Sequence, residues 1–258
     1  MIKAAFFDID WTLYDHAAGR YVPSGIEAIK QLKKRGVKCF LCTARPYNSM
    51  KGFGIFDLGI HWDGYICSAG ALAYVGGRCI KKLTMKREQV RGLCQQAQRL
   101  GYTLEVVCPR SSFLIAPPTS YVEKYQIDYR YETPHTRAYR GEVTVSTLLF
   151  APAESDEIIA KAHPGLCYFR LHECAVEITR EPRRKGDAMA DVLRHLGLGK
   201  EEAISFGDDI QDITMAESSG IFVCVGNGRP EVKAAADYVT KPIGEDGLAF
   251  ALKHFKLI

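Results

Sequence analysis

Across 258 residues no apolar run approaches the roughly 18 residues that a membrane-spanning helix needs, so a soluble globular protein is expected. The N-terminal apolar run is cut by Asp8, too early for a secretory leader or an anchor, and the cytoplasm is the expected compartment. Excess charge of one sign is also small. Against 30 Asp and Glu stand 34 Lys and Arg, a net +4 that is too small to argue for nucleic-acid binding. The short basic clusters Lys33-Lys34-Arg35, Lys81-Lys82 and Arg183-Arg184-Lys185 lack the interleaved aromatics of a nucleic-acid stacking platform. Internal repeats and low-complexity segments are missing, which excludes solenoids and arrays. Cysteine is not scarce, but its nine copies are an odd number, and Cys39, Cys42, Cys67 and Cys224 lie in or beside apolar runs as small hydrophobes. The pair Cys39-x-x-Cys42 has no second pair at zinc-finger spacing, and on a strand its members face opposite sides.

What is present is an alternation of elements. A chain of this length sits near the roughly 250 to 300 residues at which one core gives way to two. Residues 3–9 read as a buried strand. Ser24-Gly25-Ile26-Glu27 reads as a capping box opening a helix that stops at Gly36, with Ile26, Ile29 and Leu32 inward. A second apolar run, 37–42, ends at Thr43, and Pro46 is expected to open a short helix. A third strand at 64–67 and a hairpin over 71–82, broken at Gly76-Gly77, follow. After a helix at 86–100 the order becomes mixed, with short strands at 102–107, 112–116, 143–150, 167–171 and 175–179 and helical stretches near Tyr121 and Ile158. From Lys185 the alternation returns: a helix burying Ala188, Met189, Val192, Leu193 and Leu196, strands at 203–206 and 221–225, and a helix from Pro230. The expected fold is α/β, a doubly wound, Rossmann-like parallel-sheet core built from residues 1–83 and 185–258, with an α+β domain inserted over 84–184.

Open parallel sheets bind ligands beyond the carboxyl ends of their strands. Here three apolar runs end in polar groups: at Asp8-Ile9-Asp10, at Thr43, and at Gly207-Asp208-Asp209-Ile210-Gln211-Asp212, while Lys185 opens the helix that resumes the core. If strand geometry persists through Asp10, Asp8 and Asp10 share a face and can reach one magnesium ion or phosphoryl group; an ordinary acidic turn is the alternative. Carboxylates, a hydroxyl and an ammonium are the parts needed to hold a metal and a phosphate together.

These segments resemble, in order, the four motifs of the haloacid dehalogenase-like superfamily, in its Cof-type subfamily of small-molecule phosphatases: Asp8-Ile9-Asp10-Trp11-Thr12, Thr43-Ala44-Arg45-Pro46, Lys185-Gly186-Asp187-Ala188, and Gly207 through Met215. The resemblance spans nearly the whole chain, and the insert falls where that subfamily carries its cap domain. It implies that Asp8 attacks phosphorus to give an aspartyl phosphate and that Asp10 is the general acid and base, which needs a raised pKa. It implies that Thr43 and Lys185 bind the phosphoryl group, and that Mg2+ is held by the Asp8 carboxylate, the Asp10 main-chain carbonyl and Asp208, supported by Asp212. It places substrate choice in the insert, where Arg110, Arg130, Arg137, Arg140 and Arg170 suit an anionic partner, and it implies a small phosphorylated metabolite as substrate. The alternatives are a phosphomutase on the same scaffold, or a catalytically weak binding or regulatory protein that keeps the phosphate pocket. The chain departs from the family pattern at Gln211, usually Asn, at Trp11 and Ala44, commonly Gly, and at Ala69, often Asn.

Overall fold

Phe6 and Phe7 point to opposite faces of the strand Ala4–Phe7, and both are fully buried, as a strand covered on both sides requires. Phe6 stacks on Phe40 at 5.0 Å, and Phe7 stacks on Phe206 at 5.2 Å. Both contacts follow from the parallel register, which sets Phe6 opposite Phe40 and Phe7 opposite Phe206. The computed structural model describes residues 1–129 and 132–258, which divide into one unit of Met1–Lys82 with Arg183–Ile258 and another of Leu83–Pro182.

Among the described residues the first unit is built on an eight-stranded sheet. Its order is Tyr238–Val239, Ile221–Cys224, Ala203–Gly207, Ala4–Phe7, Lys38–Cys42, Gly64–Cys67, Leu72–Val75, Arg78–Lys82. The first six strands are parallel, and the final hairpin is antiparallel. Strand order reverses at Ala4–Phe7, because the chain leaves it toward Lys38–Cys42 on one side and returns much later as Ala203–Gly207 on the other. The crevice beyond Phe7 is therefore the switch point of the sheet. The helix Lys185–Leu196 covers one face with Ala188, Met189, Val192 and Leu193, packed on Phe6, Phe40 and Ile66.

The helix Pro23–Lys34 buries Ile26, Ile29 and Leu32 as its spacing requires, but it has no capping box. Pro23 takes its first turn and Val22 is the cap, while the Ser24 hydroxyl donates instead to Asp246. Pro46 likewise precedes its short helix, Tyr47–Gly52, as the cap. A small hairpin, Tyr14–Asp15 with Arg20–Tyr21, and a last helix, Gly247–His254, have no counterpart in the sequence reading.

The second unit is a five-stranded antiparallel sheet among the described residues, in the order Cys167–His172, Ala175–Thr179, Ser146–Phe150, Thr103–Val107, Ser112–Leu114. Val90, Leu93 and Ala97 of the helix Arg87–Arg99 pack on one face with Leu104, Leu149 and Val176, and Val122 packs on the other with Leu114 and Phe150. Two of the arginines expected to meet an anion are engaged inside this unit. Arg170 grips both carboxylate oxygens of Asp156 and donates to the Ala151 carbonyl at 2.8 Å, while Arg137 pairs with Glu142 and lies 3.5 Å above the Phe113 ring. Arg130 lies outside the described residues. All nine cysteines are free, and burial pushes the Cys39 and Cys67 thiols up to about 12, far from reactivity. No helix among the described residues is long and apolar enough to cross a membrane.

Candidate active site

The sheet delivers the polar groups at its carboxyl edge to one place. Asp8 extends the pairing by one residue, its N–H donating to the Phe206 carbonyl at 3.0 Å, and its side chain is buried. Asp208 follows Gly207 on the neighbouring strand, and Lys185 is the first residue of the covering helix. Lys185 Nζ donates to Asp8 Oδ1 at 2.7 Å and to Asp212 Oδ1 at 2.6 Å. At 3% exposure Lys185 is no solvated surface charge. One carboxylate oxygen from each of Asp8, Asp208 and Asp212 lies within 4.8 Å of the others.

Asp212 is held by its other oxygen, which accepts the main-chain N–H groups of Asp208 and Asp209, both at 3.0 Å. This tight loop needs a residue without a side chain at 207, since a Cβ there would lie 2.5 Å from the Asp212 Cβ. Gly186 serves the same end on the other wall, where a Cβ would meet the Thr214 carbonyl at 1.9 Å. Gly207→Ala is accordingly expected to displace Asp212 and to lower turnover at least about tenfold, given that misplacement by an ångström costs up to ~100-fold. Steady-state rates on a variant shown to be folded by circular dichroism check this, and an undiminished rate would remove Asp212 from the machinery.

Among the described residues three carboxylates cluster in a buried space about one ammonium, which bonds two of them, and the pKa shifts register that excess. Burial, reinforced by the Asp212 charge, pushes Asp208 up to about 7 despite the Thr12 hydroxyl that donates to it at 2.8 Å. Burial also raises the Asp8 carboxyl well above its usual range, only partly offset by Lys185. For Lys185 burial opposes the charge, but Asp212 and Asp8 outweigh it and its pKa is raised. An all-oxygen donor set with uncompensated negative charge fits a hard divalent cation.

Asp10 stands apart from this cluster. The regular strand ends at Phe7, Asp10 makes only an isolated bridge to Tyr14, and the chain turns left-handed at Trp11, with φ 58°. Arg45 grips its carboxylate with Nε at 2.9 Å and Nη2 at 2.7 Å, and His16 Nε2 lies 2.7 Å away. Burial alone would raise the Asp10 pKa, but these bonds outweigh it and hold the carboxyl well below its usual range. The expectation of a raised pKa is thereby corrected, since Asp10 as held here is ionised.

Thr43 is fully buried, and its Oγ accepts the Arg45 N–H at 3.1 Å, leaving its own proton to donate. Gln211 is exposed on the turn Ile210–Asp212, where its main-chain carbonyl accepts from the Thr214 hydroxyl. Two of the departures from the family pattern now have a backbone reading. Trp11 and Ala69 (φ 54°) both occupy left-handed conformations, which Gly and Asn adopt more easily than Trp or Ala. Sequence reasoning gave no role to Thr12, His16 or Arg45. Thr12 and Arg45 lay inside quoted motifs and so carried a signal, whereas His16 carried none.

A doubly wound core with an acidic, lysine-bridged site at its switch point defines an enzyme of the α/β class. The family profile of the haloacid dehalogenase-like hydrolases matches residues 5–252, and the chain belongs to that family. It is 28% identical over 259 residues to the candidate phosphatase YkrA of Bacillus subtilis (strain 168), covering 99% of this chain and 98% of YkrA. Among solved structures, a hypothetical protein from Geobacillus kaustophilus HTA426 superposes with a TM-score of 0.92 at 28% identity over 100% of both chains. A sugar phosphatase of subclass IIB of the same superfamily does so with a TM-score of 0.79 at 31% identity, over 99% of this chain and all of that one.

Proposed function

We propose that the protein is a magnesium-dependent phosphatase that hydrolyses a small phosphorylated metabolite, a sugar phosphate or a phosphorylated cofactor, through an aspartyl phosphate on Asp8. The observation that carries this reading is the buried Lys185 ammonium bridging Asp8 and Asp212 beside Asp208. Anionic nucleophile and anionic ester repel each other, so positive charge must already be in place where they meet. Lys185 supplies part of it. Bound magnesium would neutralise further phosphoryl charge, held by the Asp8 and Asp208 carboxylates and the Asp10 main-chain carbonyl.

An Asp8 oxygen attacks phosphorus, the ester P–O bond breaks, and the leaving oxygen takes a proton. Water then attacks the acyl phosphate and returns Asp8 with release of phosphate. The Thr43 hydroxyl donates to a phosphoryl oxygen throughout. Asp10, ionised as Arg45 and His16 hold it, is set to accept the proton of that water; to act as the acid in the first half it must first loosen these bonds and take up a proton. Asp212 positions Lys185 and the Asp208 turn.

The test is phosphate release from p-nitrophenyl phosphate and a panel of phosphorylated sugars and cofactors. Release is expected with magnesium, falling at least about 100-fold in chelator and returning on readdition. Release indifferent to chelator would overturn the metal assignment, and no release from any ester would overturn the function.

A further inference from the structure

Trp11 follows Asp10 directly, yet it holds a bulky ring 41% exposed on a left-handed backbone. Such a conformation persists only where the surroundings over-determine it. Here they do so at three points. Its N–H donates to the Tyr14 carbonyl at 2.9 Å, its carbonyl accepts from Asn227 Nδ2 at 2.9 Å, and its ring lies 5.1 Å from that of His16. Asn227 is itself fixed, since its Oδ1 accepts the Ile243 N–H at 2.8 Å.

The indole is the outer end of a continuous aromatic shelf. His16 meets Tyr14 at 4.9 Å, Tyr14 meets Phe53 at 4.5 Å, and the Arg45 guanidinium sits 3.6 Å above Phe53. Arg45 in turn grips Asp10, so the inner end of the shelf is tied to that carboxylate. We propose that Trp11 is a specificity-determining residue and that it selects phosphomonoesters whose alcohol carries a planar aromatic group. The proposal rests on the phosphatase reading above and narrows its substrate class.

The chemistry of the shelf distinguishes an aromatic group from a polyol. His16 Nε2 is engaged with Asp10, and both main-chain groups of Trp11 are engaged as described. Sugar hydroxyls laid here would exchange water for few partners, whereas a flat ring is satisfied by stacking alone. The main chain that carries the indole is already fixed in place, so less freedom is lost on binding, which favours affinity.

The test reads binding without turnover, in an Asp8→Asn background, by titration calorimetry with phenyl phosphate and ethyl phosphate. Phenyl phosphate is expected to bind about tenfold more tightly, the scale of a single stacked ring. Trp11→Gly suits the left-handed backbone and so preserves the fold; it should bring the two affinities within about twofold, while Trp11→Phe should keep most of the preference. A preference untouched by Trp11→Gly, or no binding of either ester, would overturn the proposal. Absence of phosphate release from the unmutated protein would count against the phosphatase reading alone, because the binding ratio decides the role of Trp11 independently.

Discussion

Asp8→Asn is expected to reduce phosphate release by roughly 10⁴-fold or more, the scale on which loss of a nucleophile is felt, with the fold unharmed. An amide oxygen lacks the charge and the leaving-group chemistry to form and then release an acyl phosphate. The stability argument runs opposite to that for most buried substitutions. Asp8 is one of three clustered carboxylates, and its own pKa is raised by burial and by its acidic neighbours. Removing its charge relieves repulsion, and Lys185 keeps its bond to Asp212. The variant should therefore melt at or above the unmutated protein when both are freed of divalent cations. Thermal unfolding in chelator, beside single-turnover assays with mass spectrometry for the aspartyl phosphate, checks both halves. A variant that still turns over would rule out the covalent route, and one that melts far lower would mean that Asp8 is chiefly structural.

The strand ends were legible because a continuous apolar run such as Ala4–Phe7 can only be buried, and parallel buried strands must finish along one edge of a sheet. That rule brings Asp8, Thr43 and Asp208 to one edge, and it applies equally to the Lys185 helix that returns the chain to the same sheet. Illegible features depend on contacts between residues distant in sequence or on a single backbone torsion. The left-handed turn at Trp11 follows directly on Asp10, and nothing in a Trp foretells it. The grip of Arg45 on Asp10 spans 35 residues, so the direction of the Asp10 pKa could not be read in advance. In the second unit Arg170 looked like a ligand for an anion, but its anion is Asp156, brought beside it by the packing of a short helix. Ser24 failed as a cap because Pro23 already sets the first turn.

Lys185→Met is expected to be the most damaging single substitution, because it removes the one cation that, among the described residues, contacts both Asp8 and Asp212, while filling much of the same space. Breaking a buried pair by deleting one partner costs about 3 to 5 kcal/mol, since the surviving charges stay buried. The loss should depend on pH in a definite direction. Asp208 titrates at about 7 and Asp8 well above its usual range, so between about pH 4 and 7 the folded protein holds protons that the unfolded chain has released. Stability then falls as pH rises through that window, and without Lys185 the fall should steepen. The melting deficit against the unmutated protein should be larger at pH 8 than at pH 5. A divalent cation should narrow it, because a metal can offset the carboxylate charge. Turnover should not return with the metal, since the phosphoryl group would still lack the ammonium that contacts Asp8. Melting curves at both pH values, with and without magnesium, separate these effects. Equal deficits at pH 5 and pH 8 would mean that Lys185 stabilises by packing rather than by charge, and restored turnover would assign its catalytic part to the metal alone.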